Sequence, residues 1–356
     1  MRFVSVGDLK PGMVLGRAFL GELGELMLAA DTILTDGLVT AIQNLKYSGL
    51  YIKDKFSEGI EPDDLISAEL RNNSVGAIRR FMLDMNTSVA SQPSNQMEDI
   101  RALVERIVDE ITSSDGAMVN LIDLKSFDLY TFQHSVNVCV LSCAMGAAHG
   151  LPRGSLYDLA LAAILHDIGK VFIPLDILNK PGALTDKEFE VVKKHPADGS
   201  EYVRSKFLFD NRICIPIKQH HERYDGGGYP MQLCDKEVSL FARIISIADV
   251  YDAIMSKRPY HEAVLPSEAY EHVMGSSGAH FHPETVDVFV KTVLPFPIGV
   301  SVRLSNGQVG LVYKNNPNFP LRPTIKIKQE AGQPEELFLD LCNDLDALDI
   351  TIQAFV

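Results

Sequence analysis

The sequence has no long hydrophobic run. No stretch approaches the ~18–20 apolar residues that a membrane-spanning helix needs. Residues 1–16 lack the basic start and long apolar segment of a signal peptide. Both absences predict a protein without a membrane span, located in the cytoplasm.

Cysteine is scarce and scattered. The chain has five cysteines, an odd number, and no two of them are spaced as C-x-x-C. This pattern fits a reducing cytoplasm better than a disulfide framework. Cys139 and Cys143 lie four residues apart on a predicted helix, which favours buried core thiols over metal ligands.

No long block of lysine and arginine is present either, and the net charge of the 356 residues is −14. Binding to duplex DNA through its phosphates is therefore not expected. An acidic protein can still bind an anionic ligand where metal ions and local cations reverse the field. The hydrophobic content of 46% and charged content of 22% are typical of a globular protein.

The length fits two or three domains of ~150 residues each. Residues 1–90 predict an N-terminal regulatory or dimerisation module of mixed α+β structure, followed by a polar linker that ends near residue 96. From 97 to 295 apolar residues recur at helical spacing. Residues 296–356 predict a β-rich extension that starts with a hairpin turning at Asn306-Gly307. The expected fold class is mainly α.

The most informative motif is His-Asp-Ile-Gly-Lys at 166–170, which follows the apolar run 159–165. A His-Asp pair at the end of such a run is costly to bury unless it binds a metal or is hydrogen-bonded. Lys170 lies four residues after His166, so on an α-helix it would share that face. A cation beside a two-metal centre suits a phosphate ester. Taken alone, His166 could equally be a hydrogen-bonded core histidine.

Two motifs carry a family resemblance. Residues 166–170 match the His-Asp-x-Gly-Lys motif of the HD phosphohydrolase superfamily. Residues 220–230 match the His-His-Glu-x-x-Asp-Gly-x-Gly-Tyr-Pro signature of its HD-GYP subfamily. The chain thus resembles this family over about 115–300, which implies an all-helical HD-type metal domain. Its members are bacterial phosphodiesterases that hydrolyse cyclic di-GMP, and some act on cyclic GMP-AMP.

The resemblance implies seven imidazole and carboxylate ligands for two divalent metal ions. The first ion would be bound by His134, His166, Asp167 and Asp249, and the second by His195, His220 and His221, with Asp167 bridging the two. Such ligands suit iron, which we expect first, or manganese, nickel or zinc. Two alternatives stay open: His195 as a cation at a helix end, and Asp249 as a helix cap.

A third metal is not expected. Family members that hold one use a glutamate four residues before the first histidine, where this chain has Tyr130, and Asp128 is out of register. Asp252 is expected to hydrogen-bond a metal ligand rather than to bind a metal. Glu222 is a second candidate partner for a metal-binding histidine.

The implied mechanism uses a hydroxide held between the metals, which attacks phosphorus in line. Asp167 and Lys170 are the expected catalytic residues, with Lys170 on the phosphate; a solvated surface lysine is the alternative. Arg258 would contact substrate or form a structural ion pair. His261 is also expected to contact the substrate, at a position where family members often have a residue that is more strongly cationic at pH 7.

The loop at 225–230 contains three consecutive glycines, which allow conformations closed to other residues. Tyr229 could stack on a base or pack locally. In the family this loop is proposed to touch diguanylate cyclase-type partners. His282 replaces an aspartate that organises a helix start, so a local structural effect is expected, and His280 is not expected to bind metal. A homodimer remains open.

The first hypothesis is a metal-dependent phosphodiesterase that hydrolyses cyclic di-GMP to linear pGpG, to GMP, or to both. The alternatives are a cyclic GMP-AMP phosphodiesterase, a weakly catalytic effector that binds a cyclic dinucleotide, and a phosphohydrolase for nucleotide monoesters.

Overall fold

The computed structural model describes residues 1–21, 25–45, 47, 49–62, 64–85, 93–113, 130–255, 266–329 and 336–356. The described residues form a helical domain flanked by a small α+β unit and by a five-stranded sheet. The predicted mainly α architecture, with an α+β N-terminal module and a β-rich tail, is confirmed.

The N-terminal unit is built from five short strands and one helix. They are β1 (Arg2–Ser5), β2 (Val14–Leu15), β3 (Phe19–Leu20), β4 (Leu26–Leu28), α1 (Asp36–Asn44) and β5 (Gly49–Lys53). The antiparallel sheet has the order β1–β5–β2, and β3 pairs with β4. Thr35 begins α1 because its side chain accepts a hydrogen bond from the Leu38 N–H. Val39 and Ile42 then bury the inner face of the helix.

The helical domain contains eleven α-helices within the described residues. They are α2 (Ala68–Met85), α3 (Pro93–Ser113), α4 (Tyr130–Ala148), α5 (Arg153–Ile164), α6 (Leu175–Leu178), α7 (Asp186–Val192), α8 (His195–Phe207), α9 (Asn211–Gln219), α10 (Leu240–Met255), α11 (Pro266–Gly275) and α12 (Pro283–Thr292). Helices α4 and α5 are apolar on nearly all sides, as expected of helices enclosed by other helices. Cys139 and Cys143 are fully buried in this core, as predicted.

Helix α2 packs into the same core as α3, α4 and α5. Its buried face includes Leu70, Ile78 and Phe81, each essentially inaccessible to solvent. The domain boundaries remain proposals, and this packing favours counting α2 with the helical domain rather than with residues 1–53.

The C-terminal strands form one antiparallel sheet. They are β6 (Ser301–Leu304), β7 (Val309–Lys314), β8 (Thr324–Ile327), β9 (Leu337–Asp340) and β10 (Ile352–Phe355), in the order β10–β6–β7–β8–β9. The predicted hairpin between β6 and β7 is confirmed, and Gly307 in its turn has φ +84°, a conformation that glycine adopts without strain. Strand β1 contacts the start of the C-terminal unit, where the Phe3 N–H donates to the Gly299 carbonyl at 2.9 Å.

Among the helices of the described segments, none combines the length and the apolar character needed to cross a membrane.

Candidate metal centre

Five separate elements bring the predicted ligands together in the helical core. His134 lies on α4, Asp249 lies on α10 and His195 is the first residue of α8. His166 and Asp167 lie in the turn after α5, and His220 and His221 follow α9. All seven side chains are buried except His221, which is half-buried.

Asp167 stands between two sets of imidazoles. Its Oδ2 lies 3.3 Å from His166 Nε2 and 3.8 Å from His134 Nε2. Its Oδ1 lies 3.3 Å from His195 Nε2 and 3.9 Å from His220 Nε2. Each carboxylate oxygen therefore faces a different pair of nitrogens.

Asp249 lies on the opposite side of the cluster. Its Oδ1 is 3.1 Å from His134 Nε2 and 3.9 Å from His166 Nε2, and its Oδ2 is 3.9 Å from His221 Nδ1. Donor atoms within 4.8 Å of one another come from Asp167, His195, His220 and His221, and a second such group comes from His134, His166 and Asp167. These two groups share only Asp167, and a third group, formed by His166, His220 and Asp249, also links the two sides.

Backbone carbonyls fix the orientation of three of the histidines. The Nδ1 atoms of His166, His195 and His220 lie 2.7, 2.8 and 2.7 Å from the carbonyl oxygens of Ala163, Val192 and Ile217, each three residues earlier in the chain. An N–H at Nδ1 donates to the carbonyl, so the lone pair is left on Nε2. In all three residues Nε2 points into the cluster.

His134 is oriented by a side chain instead. Its Nδ1 lies 2.8 Å from Asp252 Oδ2, and Asp252 Oδ1 accepts a 2.9 Å hydrogen bond from Asn137 Nδ2. Asp252 therefore hydrogen-bonds a predicted ligand, which is the contact expected from the sequence. The role of Asn137 was not predicted, although its position three residues after His134 on a helix places both on one face.

Two atoms of the cluster are buried without a hydrogen-bond partner among the described residues: His166 Nε2 and Asp167 Oδ1. Unpaired buried polar atoms are costly and therefore rare in proteins. Imidazole nitrogen and carboxylate oxygen both bind transition-metal ions well. The residues present therefore fit the metal ions that the fold implies, and these two atoms would gain a partner on metal binding.

The electrostatics of the cluster favour metal-binding forms of most ligands. Burial lowers the pKa of His221 to about 3 and lowers that of His220 well below its usual range, so both rings are neutral at pH 7. Burial would raise the pKa of Asp167, but the Lys170 ammonium and His166 hold it well below its usual range.

His134 differs from the other histidines. Burial disfavours its cation, but hydrogen bonds to Asp249 and Asp252 raise its pKa well above the usual value. A metal ion at Nε2 would take the place of that proton.

The predicted α-helical relationship between His166 and Lys170 is wrong. Helix α5 ends at Ile164, and the chain continues through a turn into a 3₁₀ helix at Ile168–Phe172. Residues three apart line up in a 3₁₀ helix. Lys170 Nζ accordingly lies 2.5 Å from Asp167 Oδ2 rather than one helical turn above His166.

The loop after His221 is held by Glu222. Its carboxylate accepts hydrogen bonds from the backbone N–H groups of Met231 at 2.6 Å and Leu233 at 2.9 Å. These bonds hold the loop, which is a different role from the predicted contact with a metal-binding histidine. Gly228 has no room for a side chain, since a Cβ there would lie 2.5 Å from the Arg223 nitrogen.

Tyr229 packs locally, one of the two roles that the sequence left open. Its ring stacks on His221 with centroids 4.7 Å apart and an interplanar angle of 30°. Phe189 meets Tyr229 edge-on at 6.3 Å. Burial raises the pKa of the Tyr229 phenol, so the hydroxyl is neutral at pH 7.

Of the remaining predicted residues, some lie outside the described part of the chain and one, His282, lies within it. Arg258, His261 and Asp128 lie outside the described residues, as does the side chain of Tyr130. His282 occupies the start of α12 without a side-chain cap, and its Nε2 lies 3.0 Å from Asp235 Oδ1. This is the local structural change expected from replacing an aspartate.

The chain is similar to several known proteins. Residues 116–285 match the family model described as HD domain. This region, just under half of the chain, is similar to HD domains. Residues 301–343 match the model described as KOW domain associated with HD domain, which coincides with most of the C-terminal sheet. The family resemblance seen in the sequence is confirmed.

Two curated proteins and one solved structure are similar to this chain. A cyclic di-GMP phosphodiesterase of Pseudomonas aeruginosa is 40% identical over 225 residues, 62% of this chain and 54% of that protein. A 3′3′-cGAMP-specific phosphodiesterase of Vibrio cholerae is 38% identical over 161 residues, 45% of this chain and 37% of that protein. The solved structure of an HDGYP protein from Bdellovibrio bacteriovorus has a TM-score of 0.50 at 17% identity, covering 81% of this chain and 97% of that one, and shows the shared fold.

The chain spans about half the length, or less, of these two curated relatives.

Proposed function

We propose that this HD domain protein is a metal-dependent phosphodiesterase that hydrolyses cyclic di-GMP to linear pGpG, to GMP, or to both. The observation that carries the proposal is Asp167, whose two carboxylate oxygens face different sets of imidazole nitrogens in a buried cluster. Relatives whose names give cyclic di-GMP as substrate support the choice of substrate.

The proposed centre holds two divalent metal ions. His134, His166 and Asp249 would bind the first, His195, His220 and His221 would bind the second, and Asp167 would bridge them through its two oxygens. The five histidines and two aspartates suit iron first, and manganese, nickel or zinc next. When bound, such ions act as Lewis acids on a phosphoryl oxygen and lower the pKa of water into the physiological range.

Lys170 is the proposed cation for the phosphate. Its Nζ already contacts Asp167 Oδ2, so a phosphate held next to Asp167 would lie within reach of the ammonium. Charge that develops on the phosphate oxygens in the transition state would be stabilised there.

We propose three further residues as substrate contacts. Arg258 and His261 would contact the phosphates or bases from the segment between α10 and α11. Tyr229 stacks on His221 and would hold the ring of that ligand in place. It would also form part of the wall of the substrate site. We also propose that diguanylate cyclase-type partners bind the 225–230 loop and that the protein forms a homodimer. A reducing cytoplasmic location is a further proposal, and the five free cysteines fit it.

The direct test is hydrolysis by the purified chain, loaded anaerobically with Fe²⁺ or Mn²⁺. Asp167→Asn keeps the size of the side chain but weakens its role as a bridging carboxylate. Asp176→Asn, on the exposed α6, is the matched control. We expect conversion of cyclic di-GMP by the wild type and by the control, and a loss of about 100-fold or more in Asp167→Asn. Equal rates in all three proteins would refute the proposal.

Cyclic GMP-AMP is the second candidate substrate. The Vibrio cholerae relative named for that dinucleotide supports it. The same assay with cyclic GMP-AMP in place of cyclic di-GMP distinguishes the two by their relative kcat/KM. Stoichiometric binding of both without product would instead favour a signalling effector.

A further inference from the structure

A cavity of about 190 Å³ lies between the N-terminal unit and the helical domain. Leu15, Phe19 and Leu50 contribute its wall from the first side, and Arg71 and Asn137 line it from α2 and α4. Cavities at the junction of two folded units are a common location for small-molecule sites. Neither the metal centre nor the loop at 225–230 lines this cavity among the described residues.

The wall is mainly apolar; its charged groups are Arg17 and Asp64, which hydrogen-bond each other, and Arg71. Leu15, Phe19 and Leu50 are at least 98% buried, and Val75 adds a further apolar surface. An apolar cavity of about 150 Å³ accommodates benzene. The guanidinium of Arg71 is the group that proteins use to bind carboxylates in a planar, bidentate manner. Together they suit a single ring that carries one carboxylate.

A chain of hydrogen bonds runs from this cavity to the metal centre. Arg71 Nη1 donates to Asn137 Oδ1 at 2.9 Å, and Asn137 Nδ2 donates to Asp252 Oδ1 at 2.9 Å. Asp252 Oδ2 lies 2.8 Å from Nδ1 of His134, a proposed metal ligand. Asn137 and Asp252 are at least 97% buried, so solvent does not compete for the bond between them.

We propose that this cavity binds a small aromatic carboxylate, and that its binding at Arg71 lowers the affinity of the centre for metal. The effect on metal affinity rests on the proposed function, whereas the binding of the carboxylate does not.

The direction follows from the polarity of the chain of bonds. Arg71 polarises the Asn137 amide, which strengthens its donation to Asp252. Asp252 in turn holds His134 with Nε2 directed at the centre. A carboxylate that engages Arg71 draws the guanidinium from Asn137, and the orientation of His134 is weakened. Linkage then requires that metal weaken carboxylate binding by the same factor.

The experiment titrates benzoate into the full chain by calorimetry, first without metal and then with saturating Mn²⁺. Arg71→Met removes the guanidinium, and Ala68→Phe fills the cavity from an exposed position in the first turn of α2. Arg80→Met, on the exposed side of the same helix and away from the cavity, is the matched control. Benzamide, a neutral molecule of the same shape, tests the need for charge. Asn137→Ala interrupts the connection to Asp252.

We expect benzoate to bind the wild type and Arg80→Met with equal affinity. Benzoate should bind Arg71→Met and Ala68→Phe at least about tenfold more weakly than it binds the wild type. Benzamide should likewise bind the wild type at least about tenfold more weakly than benzoate does. Saturating benzoate should lower Mn²⁺ affinity about fivefold in the wild type and leave it unchanged in Asn137→Ala. No benzoate binding, or equal binding by Arg71→Met, overturns the site.

Unchanged or increased Mn²⁺ affinity in the presence of benzoate overturns the coupling. If Mn²⁺ does not bind at all, the proposed function fails, while benzoate binding and the Arg71→Met comparison still test the cavity. If Ala68→Phe does not fold, the benzamide and Arg71→Met comparisons give the same decision.

Discussion

The backbone of Gly169 packs directly against that of His195. A Cβ at position 169 would lie 2.0 Å from the His195 carbonyl oxygen, and a Cβ at Gly199, in the next turn of α8, would lie 2.9 Å from the Gly169 nitrogen. This contact joins the 3₁₀ helix after Asp167 to the start of α8. It places His195 Nε2 3.3 Å from Asp167 Oδ1.

Gly169→Ala should therefore separate His195 from Asp167. We expect a loss of about 1–3 kcal/mol in the free energy of unfolding, because the added methyl group cannot be accommodated between two backbones. Urea denaturation measures the stability, and metal analysis measures the loss of bound metal. The control is Gly154→Ala on α5, where a Cβ meets nothing within 4 Å and stability should be unchanged or slightly higher. A Gly169→Ala protein as stable as the wild type would contradict this account.

Asp252→Asn tests the contact that orients His134. The amide keeps the size of the carboxylate but is a weaker acceptor for the imidazole N–H, so we expect metal affinity to fall roughly 10- to 100-fold. Asp287→Asn, at an exposed position of α12, is the matched control and should bind metal like the wild type. Competition with a fluorescent chelator provides the measurement, and an unchanged affinity in Asp252→Asn would remove Asp252 from the centre.

Much of this centre could be predicted from the sequence, because its ligands follow short motifs of fixed spacing. His166 and Asp167 are adjacent, and His220 and His221 come directly after a helix. The Arg71–Asn137 contact could not be predicted, because it depends on the packing of α2 against α4 across 66 residues of chain. The sequence does not show where α5 ends either, because the apolar run 159–165 continues past Ile164, whereas the helix does not.

Lys170→Met tests the role of the cation in turnover. We expect kcat for cyclic di-GMP to fall about 100-fold, because developing charge on the phosphate would lose its ammonium partner. Removing Lys170 also raises the pKa of Asp167, since that ammonium is the principal charge that lowers it. Lys187→Met, exposed on α7, is the control. Wild-type kcat in Lys170→Met would leave this residue with a structural role only.

Tyr229→Ala should weaken the second group of ligands through His221. The stacked pair contributes about 0.5–1.5 kcal/mol beyond burial, and its loss leaves the His221 ring less well fixed. We expect a roughly 2- to 10-fold loss of metal affinity in Tyr229→Ala and none in Tyr229→Phe, which retains the ring. If both variants lose metal equally, the hydroxyl rather than the stack supports the site.

We propose that two metal ions, bridged by Asp167, act together in hydrolysis. The measurement that tests it most directly is an anaerobic titration of metal-free protein with Fe²⁺ or Mn²⁺, in which cyclic di-GMP turnover is followed against the number of ions bound per chain. We expect turnover to appear as the second equivalent of metal binds. Full activity with one ion bound, or no turnover with two, would contradict it.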